Sequence, residues 1–188
     1  MINWKFKVLT KKDTQLIKIQ KEINEIIGKN NDREKNDLNE NVSEILPNLW
    51  LGNKRNAHDQ FFVTGNGIKY IINVTDNVEN KFEYVTYINF KIRDIMACQG
   101  DIISTLDIMK HGAKIIDYTL RHNIPILIHC KQGHHRSASI IAFYLMTYHD
   151  YTLTDAIRRI KSIRPRAFRR MSCMMETLTD FEVNRICG

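Results

Sequence analysis

The chain has 188 residues, of which 43% are hydrophobic, which is enough for one domain with an apolar core. Its longest apolar runs, such as residues 68–74, are strand-sized and fall well short of the roughly 18 residues that a membrane-spanning helix requires. The formal net charge of +7 suits acidic partners such as phosphorylated proteins, anionic lipid headgroups or nucleic acid, and does not choose among them.

The first predicted element is an amphipathic helix over residues 12–27. Charged residues separate its apolar positions, which recur at spacings of three and four, and Gly28 supplies a stop signal. Such an apolar stripe must be covered, either by packing against the rest of the chain or by pairing with a second copy or another partner. A homodimer through this helix is therefore one of the two predictions.

A polar stretch follows the helix and reads as a linker, because it combines charged residues with Asn-Asn and Asn-Asp pairs. We therefore predict an N-terminal extension over residues 1–41 and a main domain over residues 42–188.

In the main domain, short apolar runs alternate with helical patterns, an arrangement typical of a sheet covered by helices. The predicted strands are Ile45–Leu51, Ile68–Val74, Val85–Ile92 and Ile124–His129. The predicted helices are one that starts after Asp101 and runs to Leu120, then Arg136–Tyr148, Leu153–Ile163 and Met171–Ile186. The fold class is α/β, with a central, mostly parallel sheet of about four to five strands flanked by helices. Residues 65–67, Gly-Asn-Gly, read as a turn.

The compartment is predicted from the cysteines and from the N-terminus. Four cysteines occur without C-x-x-C spacing, which argues against a zinc site or a disulfide framework and favours a reducing compartment. Over residues 4–8 apolar residues alternate with lysines, so no secretory signal is predicted. We expect a cytoplasmic protein with thiols that are free to react.

The pattern with the clearest chemistry follows the strand Ile124–His129. The strand ends at Cys130, a five-residue loop centred on Gly133 follows, and Arg136 and Ser137 open an apolar helix. Loop N–H groups and a helix N-terminus converge on one point in such an arrangement and favour an anion, of which phosphate is the obvious one. Gly133 permits a backbone conformation that side chains forbid, and the Arg136 guanidinium can bind two phosphate oxygens at once.

The same surroundings activate Cys130. An isolated thiol has a pKa of about 8.5, and this falls to about 3.5–7.5 at helix N-termini near cations. The thiolate can attack phosphorus, water releases the phosphocysteine in a second step, and Ser137 can donate to the departing sulfur. A buried structural cysteine is the alternative for Cys130 alone, but the neighbouring Gly133, Arg136 and Ser137 disfavour it.

These residues resemble a known family. His129, Cys130, five residues, Arg136 and Ser137 form the signature of the protein tyrosine phosphatase superfamily, and residues 138–146 are similar to the helix that follows it in dual-specificity phosphatases. The resemblance extends over residues 43–185. It implies a cysteine-dependent phosphatase that needs no cofactor.

The family also uses an aspartate as general acid, on a loop about thirty residues before the cysteine. Asp94 and Asp101 are the two candidates. Asp101 precedes a helix, and an N-cap carboxylate that accepts backbone N–H groups has a depressed pKa and is a poor proton donor at neutral pH. We therefore predict that Asp94 is the acid.

Further residues are assigned supporting roles. Asn73 matches a family position that holds the phosphate loop, or else is a turn asparagine, and His129 is expected to tune the nucleophile through hydrogen bonding. Cys98 could form a protective disulfide with an oxidised Cys130. The remaining loop residues are expected to point their side chains towards the rim and to bind the phosphate, and these are Lys131, Gln132, His134 and His135. The adjacent histidines lack the spacing of a helical metal site, so no metal is predicted.

The substrate is left open among several classes. The chain lacks insertions that deepen the pocket of tyrosine-only phosphatases, which favours phosphotyrosine and phosphoserine or phosphothreonine in proteins. Lys131 resembles members that act on phospholipid headgroups, and seven basic residues between Arg158 and Arg170 could bind an RNA 5′-triphosphate end. A catalytically silent phosphate-binding module is the non-enzymatic alternative.

Overall fold

A computed structural model of the chain describes residues 9–28, 41–92, 102–169 and 171–188. The strands are Ser43–Leu46 (β1), Leu49–Gly52 (β2), Tyr70–Asn73 (β3), Thr86–Asn89 (β4) and Ile126–His129 (β5). The helices are Lys11–Gly28 (α1), Lys54–Ala57 (α2), Gln60–Gly65 (α3), Ile102–Arg121 (α4), Arg136–Tyr148 (α5), Leu153–Ile163 (α6) and Cys173–Cys187 (α7). No helix within these ranges is long and apolar enough to cross a membrane.

The sheet has five strands in the order β1-β2-β5-β3-β4 and confirms the predicted α/β class. All pairs are parallel except β1 with β2. In the parallel part Gly52, His129, Asn73 and Asn89 form one row across the sheet. Because parallel strands end at the same edge, the segments that follow these four residues meet there, and this edge is where open α/β sheets bind ligands.

The strand predicted over Ile45–Leu51 is wrong in one respect, since the chain forms two antiparallel strands there. Pro47 has no N–H for a ladder, and Asn48 adopts a positive φ of 67°, so the backbone reverses between Leu46 and Leu49. The result places the short β2 directly beside β5.

Two apolar clusters cover the two faces of the sheet. Ile72, Ile126 and Ile128 face the larger cluster, formed mainly with α1, α4, α5, α6 and α7. Ile71 and Leu127 alternate to the other face, where α3 and the segment between β3 and β4 pack. Helix α5 is buried over most of its length, from Arg136 to Met146, and lies at the centre of the larger cluster.

The helix predicted over residues 12–27 is present as α1, which packs against α7 and α6. Ile19, Ile23 and Ile27 are its buried residues and belong to the larger cluster. The Lys12 ammonium donates to Asn184 Oδ1 of α7 at 3.0 Å. Covering the apolar stripe therefore does not require a second copy of the chain.

Candidate active site

The phosphate-loop segment lies between β5 and α5, as predicted. Strand β5 is buried on both faces and ends at His129 between β2 and β3, so the loop that follows starts from the centre of the sheet. Cys130 is the first loop residue and is only 3% exposed. Its position is thus set by the central strand of the sheet rather than by a surface loop.

Hydrogen-bond donors of Gly133 and Ser137 reach the Cys130 sulfur. The Gly133 N–H lies 3.2 Å from Sγ, and the Ser137 hydroxyl lies 3.3 Å from it. Burial alone raises the pKa of the thiol, but the hydroxyl and the N–H of Ser137, the Arg136 charge and the Gly133 N–H together outweigh it and lower the pKa below its ordinary value. These contacts favour the thiolate form of Cys130 over the form it would have if burial acted alone.

Gly133 occupies a position that no other residue fits. Its φ is +69°, in the left-handed region, and a Cβ there would lie 2.5 Å from the Gly52 carbonyl oxygen and 2.8 Å from Arg164 Nη2. The absence of a side chain lets the loop fold tightly against the end of β2, so that the Gly133 N–H can turn towards Cys130.

Arg136 is 4% exposed, and one of its guanidinium nitrogens, Nη1, donates to the Ile92 carbonyl at 2.7 Å. Ile92 follows β4 at the carboxyl edge of the sheet. The guanidinium therefore joins the start of α5 to the segment that leads towards Asp94. Asp94, Asp101 and Cys98 themselves lie outside the described residues.

His129 directly precedes Cys130 and is buried, at 1% exposure. Desolvation lowers its pKa from 6.5 to about 4, against the opposing effect of a hydrogen bond with the Cys130 backbone. The ring is neutral near pH 7, so it is not a charged partner for the Cys130 sulfur, and its role in tuning Cys130 through hydrogen bonding stays a prediction.

The rim prediction holds for only part of the loop. Lys131 and Gln132 are exposed, whereas His134 and His135 are buried, at 8% and 7% exposure. The expectation that both histidines point to the rim is therefore wrong. The segment turns inward after Gly133 as it approaches the N-terminus of α5, so that only its first two side chains face solvent.

Asn73 contacts the loop that follows its own strand. Its amide donates to the Val78 carbonyl at 2.7 Å and to Asn80 Oδ1 at 3.1 Å, and its Oδ1 accepts from the Thr75 hydroxyl at 2.7 Å. These contacts support the role of a turn asparagine over that of a residue that holds the phosphate loop. The neighbouring backbone does reach β5, because the Val74 N–H donates to the His129 carbonyl.

The basic residues after α5 are not one exposed surface. Arg158 pairs with Asp155, Arg159 donates to the Ile45 carbonyl, and Lys161 donates to two carbonyls of the following loop. Arg164 is 1% exposed. The cluster that suggested an RNA backbone site therefore splits, since Lys161 and Arg164 are buried in the fold whereas Arg158, Arg159 and Arg169 are exposed.

Arg164 contacts the candidate site, although in the sequence it stands out only as one member of the basic cluster between Arg158 and Arg170. Its Nε donates to the Gly133 carbonyl at 2.9 Å, inside the phosphate loop. The one signal in the sequence is the Pro165 that follows it and ends α6, which is too common a pattern to identify a contact 31 residues away in the chain.

Known proteins resemble this chain in sequence and in fold. The model of the family described as dual specificity phosphatase, catalytic domain, matches residues 49–184. Among curated proteins, dual specificity protein phosphatase 9 from Homo sapiens is 32% identical over 139 residues, covering 74% of this chain and 35% of that protein. A protein phosphatase Slingshot homolog from Xenopus laevis is 32% identical over 123 residues, covering 65% of this chain and 17% of that protein. The chain thus spans about a third or less of these relatives' length.

Solved structures show the same fold. Human DUSP28 superposes with a TM-score of 0.66 at 20% identity, over 78% of this chain and 95% of that one. DUSP15 superposes with a TM-score of 0.66 at 24% identity, over 75% of this chain and 86% of that one.

Proposed function

Because the chain belongs to the family of dual specificity phosphatase catalytic domains, we propose that it hydrolyses phosphotyrosine and phosphoserine or phosphothreonine in proteins through a phosphocysteine intermediate. The observation that carries this proposal is the Cys130 sulfur, which lies within hydrogen-bonding distance of both Gly133 N–H and Ser137 Oγ and has a lowered pKa. A cysteine with a purely structural role needs neither donor.

The first step is attack of the Cys130 thiolate on phosphorus. A sulfur–phosphorus bond forms as the bond from phosphorus to the substrate oxygen breaks, and that oxygen takes a proton from the general acid. N–H groups of the loop and the guanidinium of Arg136 stabilise the charge on the transferred phosphoryl oxygens. Lys131 and Gln132, exposed beside the nucleophile, can contact the rest of the substrate.

The second step is hydrolysis of the phosphocysteine. Water gives its proton to the conjugate base of the general acid and attacks phosphorus, and the sulfur departs as a thiolate. The Ser137 hydroxyl stabilises that departing thiolate, because it lies 3.3 Å from the sulfur in the resting protein. Inorganic phosphate and the starting form of the enzyme result.

Asp94 is the general acid in this proposal. Arg136 binds the carbonyl of Ile92, and Asp94 follows Ile92 by two residues whereas Asp101 follows it by nine. The short tether supports Asp94.

A protein substrate is supported over RNA because two members of the basic cluster, Lys161 and Arg164, are buried and donate to groups within the fold. Phospholipid headgroups remain the second candidate, since Lys131 presents an exposed cation next to Cys130. A cytoplasmic location is part of the proposal, because a reducing compartment keeps Cys130 as a thiol.

The homodimer through α1 has less support than packing of α1 on its own domain. The buried isoleucines of α1 already contact α6 and α7, whereas Ile17 on the same helix is an exposed apolar residue. Sedimentation of the full chain at micromolar concentration distinguishes a monomer, which we expect, from a dimer.

The experiment that tests the function compares turnover of four substrates by the full chain. They are a phosphotyrosine peptide, a phosphothreonine peptide, a phosphoinositide in mixed micelles and an RNA with a 5′-triphosphate. Cys130→Ser serves as the control, because serine keeps the shape of the cradle without a thiolate.

We expect release of phosphate from both peptides, and no release by Cys130→Ser while phosphopeptide binding persists. Faster turnover of the phosphoinositide than of either peptide would transfer the proposal to a lipid substrate. Equal turnover by the wild-type protein and Cys130→Ser would overturn the mechanism.

A further inference from the structure

Four carbonyl groups of the phosphate loop, from Lys131 to His134, accept hydrogen bonds from donors outside the loop. The Lys54 N–H donates to the Lys131 carbonyl at 3.3 Å, and the Phe168 N–H donates to the His134 carbonyl at 2.8 Å. Between these two backbone contacts, the side chain of Arg164 donates hydrogen bonds to two further carbonyls. Arg164 donates through Nε to Gly133 at 2.9 Å and through Nη2 to Gln132 at 3.5 Å.

The planarity of the peptide bond links the outer contacts to the inner ones. In a trans peptide the C=O of one residue and the N–H of the next point in opposite directions, and the described residues contain no cis peptide. Arg164 holds the Gln132 carbonyl outward, which turns the Gly133 N–H inward, where it lies 3.2 Å from Cys130 Sγ. In the same way its bond to the Gly133 carbonyl turns the next N–H, that of His134, inward.

Arg164 is itself held rigidly. Its Nη1 donates to the Asn41 carbonyl at 2.8 Å and to Ser43 Oγ at 3.2 Å, so the guanidinium spans from the start of β1 to the phosphate loop. The loop that follows it is braced by Lys161, whose ammonium donates to the carbonyls of Pro165 and Ala167 at 3.0 and 2.8 Å. A planar guanidinium with several fixed donors suits this task, whereas an ammonium is a single point of contact.

We propose that Arg164 is a positioning residue for the phosphatase reaction, which acts by orienting the peptide groups on either side of Gly133 so that their N–H groups face the Cys130 sulfur and the phosphate. The proposal rests on the function given above. Arg164 touches neither substrate nor sulfur in this role and acts only through the loop backbone.

The test replaces Arg164 in the full chain with methionine, which keeps the length of the side chain, and with lysine, which keeps one donor. Arg185→Met is the matched control. Arg185 lies on α7 and also donates from its guanidinium to two backbone carbonyls, those of Met146 and Tyr151. Neither carbonyl belongs to the phosphate loop.

Three quantities are measured for each protein: the pKa of Cys130 from the pH dependence of its alkylation by iodoacetamide, kcat and KM for an aryl phosphate, and the midpoint of urea unfolding. For Arg164→Met we expect the pKa of Cys130 to rise by about one pH unit or more and kcat to fall about 10²-fold. Arg164→Lys should show smaller changes in both the pKa of Cys130 and kcat. Arg185→Met should change the unfolding midpoint, but it should leave the pKa of Cys130 unchanged and alter kcat by no more than about twofold.

The proposal is overturned if Arg164→Met keeps the wild-type pKa and kcat, or if Arg185→Met changes them equally. Should Arg164→Met fail to fold, the same criteria apply to Arg164→Lys. The alkylation measurement does not depend on turnover. If the wild-type protein had no phosphatase activity, the proposed function would be refuted, but the effect of Arg164 on the pKa of Cys130 could still be measured.

Discussion

The hydroxyl of Ser137 lies 3.3 Å from the sulfur of Cys130, and both groups are buried. A neutral hydroxyl that donates to a thiolate lowers the pKa of the nucleophile and also stabilises the thiolate that leaves phosphorus in the second step. We expect Ser137→Ala to lower kcat by about 10²-fold and to make phosphocysteine hydrolysis rate-limiting. Rapid-quench kinetics with an aryl phosphate would show a burst of the aryl product followed by slow turnover.

Ser139→Ala is the control for this change. Ser139 is fully buried two residues further along α5, and its Oγ has no hydrogen-bond partner among the described residues. Its removal should leave turnover unchanged. Equal losses of kcat in the two variants would assign the effect of Ser137 to helix packing instead of to the sulfur contact.

The stability of the protein should fall between pH 6.5 and pH 4 because of His129. Its pKa is about 4 in the folded protein, against an ordinary value of 6.5 for a histidine in the unfolded chain, so the unfolded chain binds the extra proton in this window. Stability is therefore fully present above pH 6.5 and decreases as the pH falls towards 4, by about 3 kcal/mol from this group. Urea unfolding of the wild-type protein and of His129→Asn across the window measures the difference.

His129→Asn should have a shallower dependence of unfolding free energy on pH than the wild-type protein. Parallel curves for the two proteins would show that His129 does not titrate on unfolding.

Gly133→Ala should inactivate the protein. The added methyl group would lie 2.5 Å from the Gly52 carbonyl oxygen, so the loop or β2 must shift, and displacements of about 1 Å near a reacting centre can cost about 10²-fold in rate. Gly67→Ala is the control, because Gly67 also has a positive φ, of 62°, but its Cβ would meet no atom within 4 Å. Both variants should lose about 1–2 kcal/mol from backbone strain.

Only Gly133→Ala should lose turnover as well, measured as kcat for an aryl phosphate. Normal activity in Gly133→Ala would contradict the close packing of the loop against β2. A full loss of activity in Gly67→Ala would assign the effect to backbone strain instead of to that packing.

The sequence predicts the parts of this site that depend on local patterns. The apolar run before Cys130 indicates a buried strand, and the spacing from Gly133 to Arg136 indicates the loop and helix start. Both follow from short-range rules that the structure obeys. The helix α1 was predictable for the same reason, since its apolar period is strict.

The parts that depend on contacts distant in sequence were not predictable. The buried positions of His134 and His135 follow from how the loop turns after Gly133, and the contact of Arg164 with that loop joins residues 31 positions apart. The hairpin of β1 and β2 is a local feature with two turn residues, Pro47 and Asn48. The apolar residues on both sides of this turn also fit a single continuous strand, so the sequence pattern alone favours the wrong structure.

Helix α1 should contribute to stability through its buried face. Ile23 is fully buried in the larger cluster, whereas Ile17 on the same helix is 52% exposed. We expect Ile23→Ala to lower the free energy of unfolding by about 2–5 kcal/mol, and Ile17→Ala to change it by less than about 0.5 kcal/mol. The two variants remove the same atoms from the same helix, so urea unfolding measures the effect of position alone. Equal losses would indicate that α1 does not pack on α6 and α7 in solution.

The identity of the general acid is decided by comparing Asp94→Asn with Asp101→Asn. Asparagine keeps the size of the side chain but cannot give up a proton, so loss of the acid should lower kcat by about 10²–10⁴-fold for substrates with a poor leaving group. An aryl phosphate whose leaving group is already stable as an anion needs little protonation. Asp94→Asn should therefore slow a phosphotyrosine peptide much more than such an aryl phosphate and should remove the basic limb of the pH–rate profile. If Asp101→Asn shows this pattern and Asp94→Asn does not, the acid is Asp101, and the short tether from Ile92 to Asp94 has no catalytic significance.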